Sequence, residues 1–130
     1  MNDFRLYTSH LFQSRDGENR MALISLQKCA EYDIKILKEK ILTGLKQIEF
    51  DPASFKNKRV CLKPNLLMPA NPDRAVTTHP AVFRAVAEIV HDYTKDIILI
   101  ESPNFFPLKS TVKKTGLAEI VKELEIKVAD

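Results

Sequence analysis

Residues 63–80 read KPNLLMPANPDRAVTTHP, and this stretch decides both the fold and the site that we expect. It begins where the apolar run 60–62 ends, and it stops where a helical pattern begins at Pro80. A strand that leads into a long polar loop and then into a helix is where α/β proteins bind ligands. Because this loop carries amine, amide, hydroxyl and imidazole side chains, the sequence predicts a ligand site there.

The apolar pattern along the chain predicts the order β-α-β-α-β-α-β. Strands are predicted at residues 21–26, 58–62, 97–100 and 126–128, helices at 34–48, 80–90 and 117–124, and a loop at 105–114. This alternation favours a parallel sheet with right-handed crossovers. The predicted fold class is α/β, with three layers: a mostly parallel sheet with helices on both faces. We expect residues 1–20 to be an N-terminal extension and residues 21–130 to be part of a larger α/β domain.

The bulk composition excludes several classes of protein. The 130 residues are 45% hydrophobic and 28% charged, with a net charge of only +3, as is ordinary for a globular domain. Basic and acidic residues are mixed along the chain, so no basic face for nucleic acid is expected. No run approaches the ~18 apolar residues of a membrane span, and residues 1–20 lack a signal-peptide core. We therefore predict a cytoplasmic protein without a nucleic-acid or membrane partner.

The two cysteines, Cys29 and Cys61, lie in or beside apolar runs, and we expect both to be small buried side chains in a reduced compartment. They cannot supply the four thiolates of an iron–sulfur cluster, and they do not have the spacing of a zinc site. His79 has too few neighbouring donors for a metal site, so no metal is predicted.

The predicted site lies where two neighbouring strands end and a helix begins. Lys63 is placed to pair with an anion, while Glu101 is either its ion-pair partner or a general base. The residues before Pro80 adjoin unpaired helix N–H groups, which favour an anion. The alternative is that a hydroxyl or the imidazole caps this helix without any ligand, and that Asn65 binds its own loop. The candidate ligand-binding residues are Lys63, Asn65, Thr77, Thr78, His79, Glu101 and Ser102.

Nucleophilic catalysis and nucleotide-binding loops find no support in the sequence. Ser102 lacks the Gly-x-Ser-x-Gly turn of the α/β hydrolases. With only three glycines, at positions 17, 44 and 116, neither a Gly-x-Gly-x-x-Gly motif nor a Walker loop can form. The catalytic residues, and whether the chain is an enzyme, stay open.

Four short motifs resemble those of the DUF362 family, a domain of unknown function that is sometimes found in iron–sulfur proteins. They are VCLKPNLL at residues 60–67, VTTHP at 76–80, IESP at 100–103 and TGL at 115–117. The resemblance covers roughly residues 21–130 and corresponds to the N-terminal part of a typical family domain. Glu101 stands where the family usually has Asp, and Asn104 where it has Gly, so the end of that strand is expected to differ in shape.

The resemblance leaves two hypotheses for function. The first is a small anionic ligand bound in the crevice, with a redox association that the family implies; the ferredoxin-like cysteine clusters of such proteins are absent, so no cofactor is assigned to this chain. The second is a non-catalytic interaction or scaffolding module that docks to a redox partner or to a second copy of itself. Its contact patch would be the apolar loop residues Leu66, Leu67, Met68, Phe105 and Phe106.

Overall fold

The computed structural model describes residues 11–13, 19–21, 23–103 and 105–129. Two short 3-10 helices, Pro52–Phe55 and Pro72–Arg74, lie in the loops. The main elements in chain order are β1 (Leu11–Gln13), β2 (Asn19–Met21), α1 (Ile34–Gln47), β3 (Val60–Leu62), α2 (Pro80–His91), β4 (Ile97–Leu99), α3 (Leu108–Lys114), α4 (Ala118–Glu123) and β5 (Lys127–Val128). The predicted extension at residues 1–20 lies largely outside the described residues.

The central sheet is parallel, with the strand order β3-β4-β5. In its register Cys61 is paired with Ile98, and Ile98 is paired with Lys127. The ladder continues past β4, because the Ile100 N–H donates to the Leu62 carbonyl at 2.9 Å. The predicted α/β class with a parallel sheet is confirmed. A separate antiparallel pair is formed by β1 and β2.

Helices cover one face of the sheet. Ile97 and Leu99 are fully buried in a cluster that also contains Phe83 of α2, Val112 of α3 and Ile120 of α4. Helix α1 packs beside α2, and Lys38 of α1 forms an ion pair with Glu88 of α2 at 3.2 Å.

The opposite face of the sheet is different. Cys61 and Lys127 are exposed there and Ile98 is half-buried, so among the described residues the helical layer lies on one side. The expectation of buried cysteines is wrong for both, since Cys29 is exposed as well. An apolar run such as 60–62 predicts a strand. It does not predict which of the alternating side chains are buried under helices.

The strand predicted at 21–26 is wrong in most of its length. Met21 ends β2, and residues 23–30 form neither helix nor strand. Here one polar side chain within the run and one directly after it decide the outcome. Ser25 and Gln27 both donate to the side-chain oxygen of Gln47 in α1, each at 2.6 Å. The segment therefore lies against α1 instead of joining the described sheet, and Leu26 is left exposed.

The predicted loop at 105–114 is also wrong in part, because residues 108–114 form α3. The chain then turns sharply at Gly116, whose φ of 80° is in the left-handed region. A β-carbon at this position would lie 3.2 Å from Cγ of Pro80, the first residue of α2. This turn brings the connection between α3 and α4 against the beginning of α2.

Candidate functional site

The loop between β3 and α2 is closed at its base by Asn65 and Thr78. The Thr78 N–H donates to the Asn65 carbonyl at 2.8 Å, and the Asn65 N–H donates to the Thr78 hydroxyl at 2.9 Å. Next to these two hydrogen bonds, Leu66 and Thr77 form an isolated antiparallel bridge. The Leu66 side chain is fully buried in the core. The Asn65 backbone and the Thr78 side chain therefore hold the loop in place, and the Asn65 side chain takes no part in these two bonds.

Lys63 and Glu101 meet where β3 and β4 end. Their charged groups form an ion pair in which the Lys63 side chain is 64% exposed and the Glu101 side chain only 9%. The Oε2 atom of Glu101 is buried, and apart from this ionic contact it accepts no well-directed hydrogen bond from the described residues. Because a buried carboxylate is costly without a cation, Lys63 compensates Glu101 while presenting its remaining N–H groups to solvent.

Helix α2 begins at Pro80 and is capped by His79. The Nδ1 atom of His79 accepts a hydrogen bond from the Ala81 N–H at 3.2 Å. Pro80 has no N–H, and the Phe83 N–H is bonded to the His79 carbonyl. Of the first-turn donors, only the Val82 N–H has no partner among the described residues. His79 is therefore the N-cap of α2, and the Val82 N–H is the backbone donor that the first turn leaves for a ligand.

A pocket of about 500 Å³ opens at this end of α2. One wall is a stacked pair of rings, Tyr32 and His79, with centroids 3.6 Å apart and planes 10° from parallel. The Thr77 hydroxyl is buried without a hydrogen-bond partner in the described part of the chain. The residues that line the pocket are Tyr32, Pro72, Asp73, Ala75, Thr77, Thr78, His79 and Val82.

Ala75 adds a strained backbone to this pocket. Its φ of 51° lies in the left-handed region, which a residue with a β-carbon adopts at a cost of about 1–2 kcal/mol. The 3-10 helix Pro72–Arg74 ends at Ala75, whose N–H donates to the Pro72 carbonyl at 2.9 Å. The left-handed conformation of Ala75 forms the turn between the 3-10 helix and Thr77. This turn is part of the pocket wall.

The seven predicted site residues differ in their position relative to the pocket. Thr77, Thr78 and His79 line the pocket, whereas Lys63 and Glu101 form a pair that is not part of its lining. Asn65 and Ser102 are exposed and do not line it either.

Sequence reasoning missed Tyr32 and Val82 as lining residues. Tyr32 lies directly before Asp33, the N-cap of α1, and no motif marks it because its position depends on how α1 packs on α2. Val82 lies in the first turn of α2, where its apolar side chain carries no signal of a ligand site.

An iron–sulfur cluster of the kind associated with the family does not fit these residues. The chain has two cysteines where such a cluster needs four ligands. Within the described ranges no group of three or more His, Cys, Asp or Glu side chains is arranged to hold a metal ion.

Comparison with known proteins assigns the family. Residues 60–130, more than half of the chain, match the family described as "Domain of unknown function (DUF362)". The chain belongs to the DUF362 family.

A curated relative is the "Thylakoid-associated protein sll1697" of Synechocystis sp. (strain ATCC 27184 / PCC 6803 / Kazusa). It is 32% identical to this chain over 72 residues, which cover 55% of the chain and 22% of the relative. The matched region thus spans about a fifth of the relative's length. No solved structure matches the chain. None of the helices in the described part of the chain has the length and apolarity that crossing a membrane requires.

Proposed function

We propose that this chain binds a small anionic ligand at the carboxyl end of its parallel sheet, between the Lys63–Glu101 pair and the start of α2. The observation that carries the proposal is the buried Thr77 hydroxyl, which has no partner in the described part of the chain and belongs to a residue that lines a pocket. Buried polar groups are nearly always hydrogen-bonded, so an unpaired hydroxyl beside a pocket supports the binding of a ligand there.

In this proposal Lys63 supplies the positive charge. Lys63 is two residues from Asn65, a span of at most about 7 Å of extended chain, and Asn65 is bonded directly to Thr78 of the pocket. The Lys63 side chain is mostly exposed, and an ammonium has three donors, of which one suffices for Glu101. A ligand can therefore take the other two without separating Lys63 from Glu101.

The pocket contributes donors and one acceptor. The unpaired Val82 N–H lies in the first turn of α2, where the helix dipole favours a negative charge. Asp73, another lining residue, repels an anion that comes close to its carboxylate. We infer that the anionic group lies toward Thr77 and Lys63, and that any part of the ligand near Asp73 is a hydrogen-bond donor.

The test is the thermal shift caused by phosphate or by a small dicarboxylate. We expect the wild-type chain to be stabilised, and we expect Lys63→Ala and Thr77→Val each to remove most of this stabilisation, judged against the melting temperature of the same variant without ligand. Lys35→Ala, which removes an exposed lysine from α1, is the matched control and should retain the full shift. An unchanged shift in both Lys63→Ala and Thr77→Val would refute the proposal, and so would the absence of any shift in the wild type.

A second candidate function, docking to a protein partner or to a second copy, is favoured by the exposed phenylalanines that follow β4. Phe105 is 89% exposed, and Phe106 and Leu67 are also exposed. Leu66 does not belong to this patch, contrary to our expectation, because it is buried in the core. Replacing Phe105 and Phe106 by Ser should abolish self-association in light scattering while leaving the ligand-induced thermal shift intact. A monomeric wild-type chain would exclude the second copy as the partner.

A further inference from the structure

The face of the sheet opposite the helices carries one continuous row of side chains. Cys61 of β3, Ile98 of β4 and Lys127 of β5 are register neighbours, so their side chains point to the same side. Cys61 and Lys127 are exposed, whereas Ile98 and the following same-side residue Ile100 are half-buried. On the other side Ile97 and Leu99 have no exposed surface at all. The two faces of the same strands are thus covered very unequally within the described residues.

Such a one-sided cover is unusual for a parallel sheet. Parallel strands are nearly always covered on both faces, and the uninterrupted apolar run Ile-Ile-Leu-Ile at residues 97–100 is typical of a strand with two buried faces. The cover in most parallel sheets is a helix, because a helix fits the twisted surface and leaves no backbone polar groups unpaired. A row with Ile98 at its centre is therefore suited to the apolar side of a helix.

Charged groups border this row at the amino end of the sheet. Asp96 accepts a hydrogen bond from Nε of Arg59 at 2.9 Å, and the Lys127 ammonium lies 3.4 Å from its other oxygen. Two cations thus share one carboxylate, and both cationic side chains are more than three-fifths exposed. The border carries an excess positive charge that no described residue neutralises. A partner that brings a negative charge to this edge is therefore favoured over one that brings a positive charge.

We propose that this face, centred on Cys61 and Ile98, docks an amphipathic helix of a partner protein whose apolar stripe is flanked by acidic residues. The apolar stripe covers Cys61, Ile98 and Ile100, and an acidic side chain pairs with Lys127 and Arg59. A second copy of the same face is a poorer occupant, because it brings its own unneutralised cations to the contact. The inference concerns a different surface from the pocket and from the phenylalanine patch, so it stands or fails independently of the proposed function.

Cys61 provides the readout, since a docked helix shields its thiol. In a Cys29→Ser background Cys61 is the single thiol, and its rate of alkylation by iodoacetamide is measured with and without two synthetic amphipathic helical peptides. The peptides share one leucine stripe and differ in carrying either glutamate or lysine beside it. We expect the glutamate peptide to slow alkylation in a saturable way and the lysine peptide to have no effect. Added salt should weaken the protection, because the border charges are exposed.

Two variants connect the protection to this face. Lys127→Gln leaves the Arg59–Asp96 bond in place. It should weaken binding of the glutamate peptide by about two- to fivefold, as expected for the loss of one exposed ion pair. Lys122→Gln, at an exposed lysine of α4, is the matched control and should bind as the parent does. Equal protection by both peptides, or no protection by the glutamate peptide, would overturn the proposal. A Cys61 thiol that is already shielded without peptide in a dimer seen by light scattering would also overturn it, in favour of a second copy.

Discussion

The Lys63 ammonium contacts the Glu101 carboxylate at the carboxyl ends of β3 and β4, where the lysine side chain is mostly exposed and the glutamate side chain is nine-tenths buried. Lys63→Ala leaves that carboxylate without a cation. We expect a loss of about 1–2 kcal/mol in the free energy of unfolding, less than for a fully buried pair because Lys63 is solvated. Urea unfolding measures it.

The double variant Lys63→Ala/Glu101→Gln should regain part of this loss, because the uncompensated charge is then removed. Strictly additive effects of the two substitutions would show that the contact does not couple the two residues.

Thr77 and Thr78 are adjacent hydroxyls with opposite expected effects. Thr78→Val removes the acceptor of the Asn65 N–H and should destabilise the chain by about 1 kcal/mol. Thr77→Val removes a hydroxyl that has no partner among the described residues, so without ligand its melting temperature should equal or exceed that of the wild type. Thermal melts of both variants in ligand-free buffer make the comparison. A clear loss of stability in Thr77→Val would mean that the hydroxyl is already bonded in the free protein.

His79 caps α2 with its ring nitrogen. His79→Ala should lower the free energy of unfolding by about 1 kcal/mol, the usual effect of losing an N-cap acceptor, and His79→Asp should recover it. Chemical denaturation followed by circular dichroism is the measurement. Tyr32→Ala serves as a control, because it removes the ring stacking and leaves the cap. If His79→Asp is as unstable as His79→Ala, then the stacking contributes more than the cap.

Gly116 requires a conformation that other residues adopt with strain. Gly116→Ala should destabilise the chain by about 1–2 kcal/mol, since its φ is 80° and the added carbon lies 3.2 Å from Pro80. Ala75→Gly is the opposite case. Relief of the left-handed strain offsets the backbone entropy that glycine loses, so we expect almost no change. Equilibrium unfolding of the two variants checks the contrast, and equal losses in both would contradict it.

Asp96 makes stability depend on pH. The hydrogen bond from the Arg59 guanidinium, helped by Lys127, holds the pKa of the Asp96 carboxyl below its usual value of 3.8. Because the pKa is lower in the folded state, the contribution is fully present well above pH 3.8 and is lost as the pH falls through the folded value. The difference in unfolding free energy between wild type and Asp96→Asn should therefore shrink on acidification below pH 3.8. A difference that is constant down to pH 2 would contradict this assignment.

Local patterns were sufficient where one element is defined by its own residues. The 3.6-residue spacing predicted α1, and its N-cap is Asp33, whose side chain accepts from the Ile36 N–H at 2.9 Å. The position of Pro80 predicted the beginning of α2. The end of β3 before Pro64 and the apolar run of β4 were also predicted, and because neighbouring parallel strands end at one edge, so was the meeting of Lys63 and Glu101.

Patterns failed where a distant residue competes. The apolar run at 21–26 has the composition of a strand. However, Ser25 in this run and Gln27 directly after it donate hydrogen bonds to Gln47, which is 20 or more positions along the chain. The helix at 108–114 is only seven residues long. Its apolar pattern covers too few turns to distinguish a helix from a loop. Tyr32 joined the pocket through the packing of α1 on α2, which no local pattern encodes.

The amino-acid sequence by itself determined the strand–loop–helix unit around residues 60–91, the parallel α/β class and the family motifs, because these depend on apolar spacing and on where proline can stand. Three features depend on the packed structure: His79 caps a helix, the Thr77 hydroxyl has no partner in the described chain, and Cys61 is exposed on the face of the sheet away from the helices. The burial and hydrogen bonding of one side chain depend on atoms brought from elsewhere in the chain, whereas the secondary structure of a segment depends mainly on its neighbours.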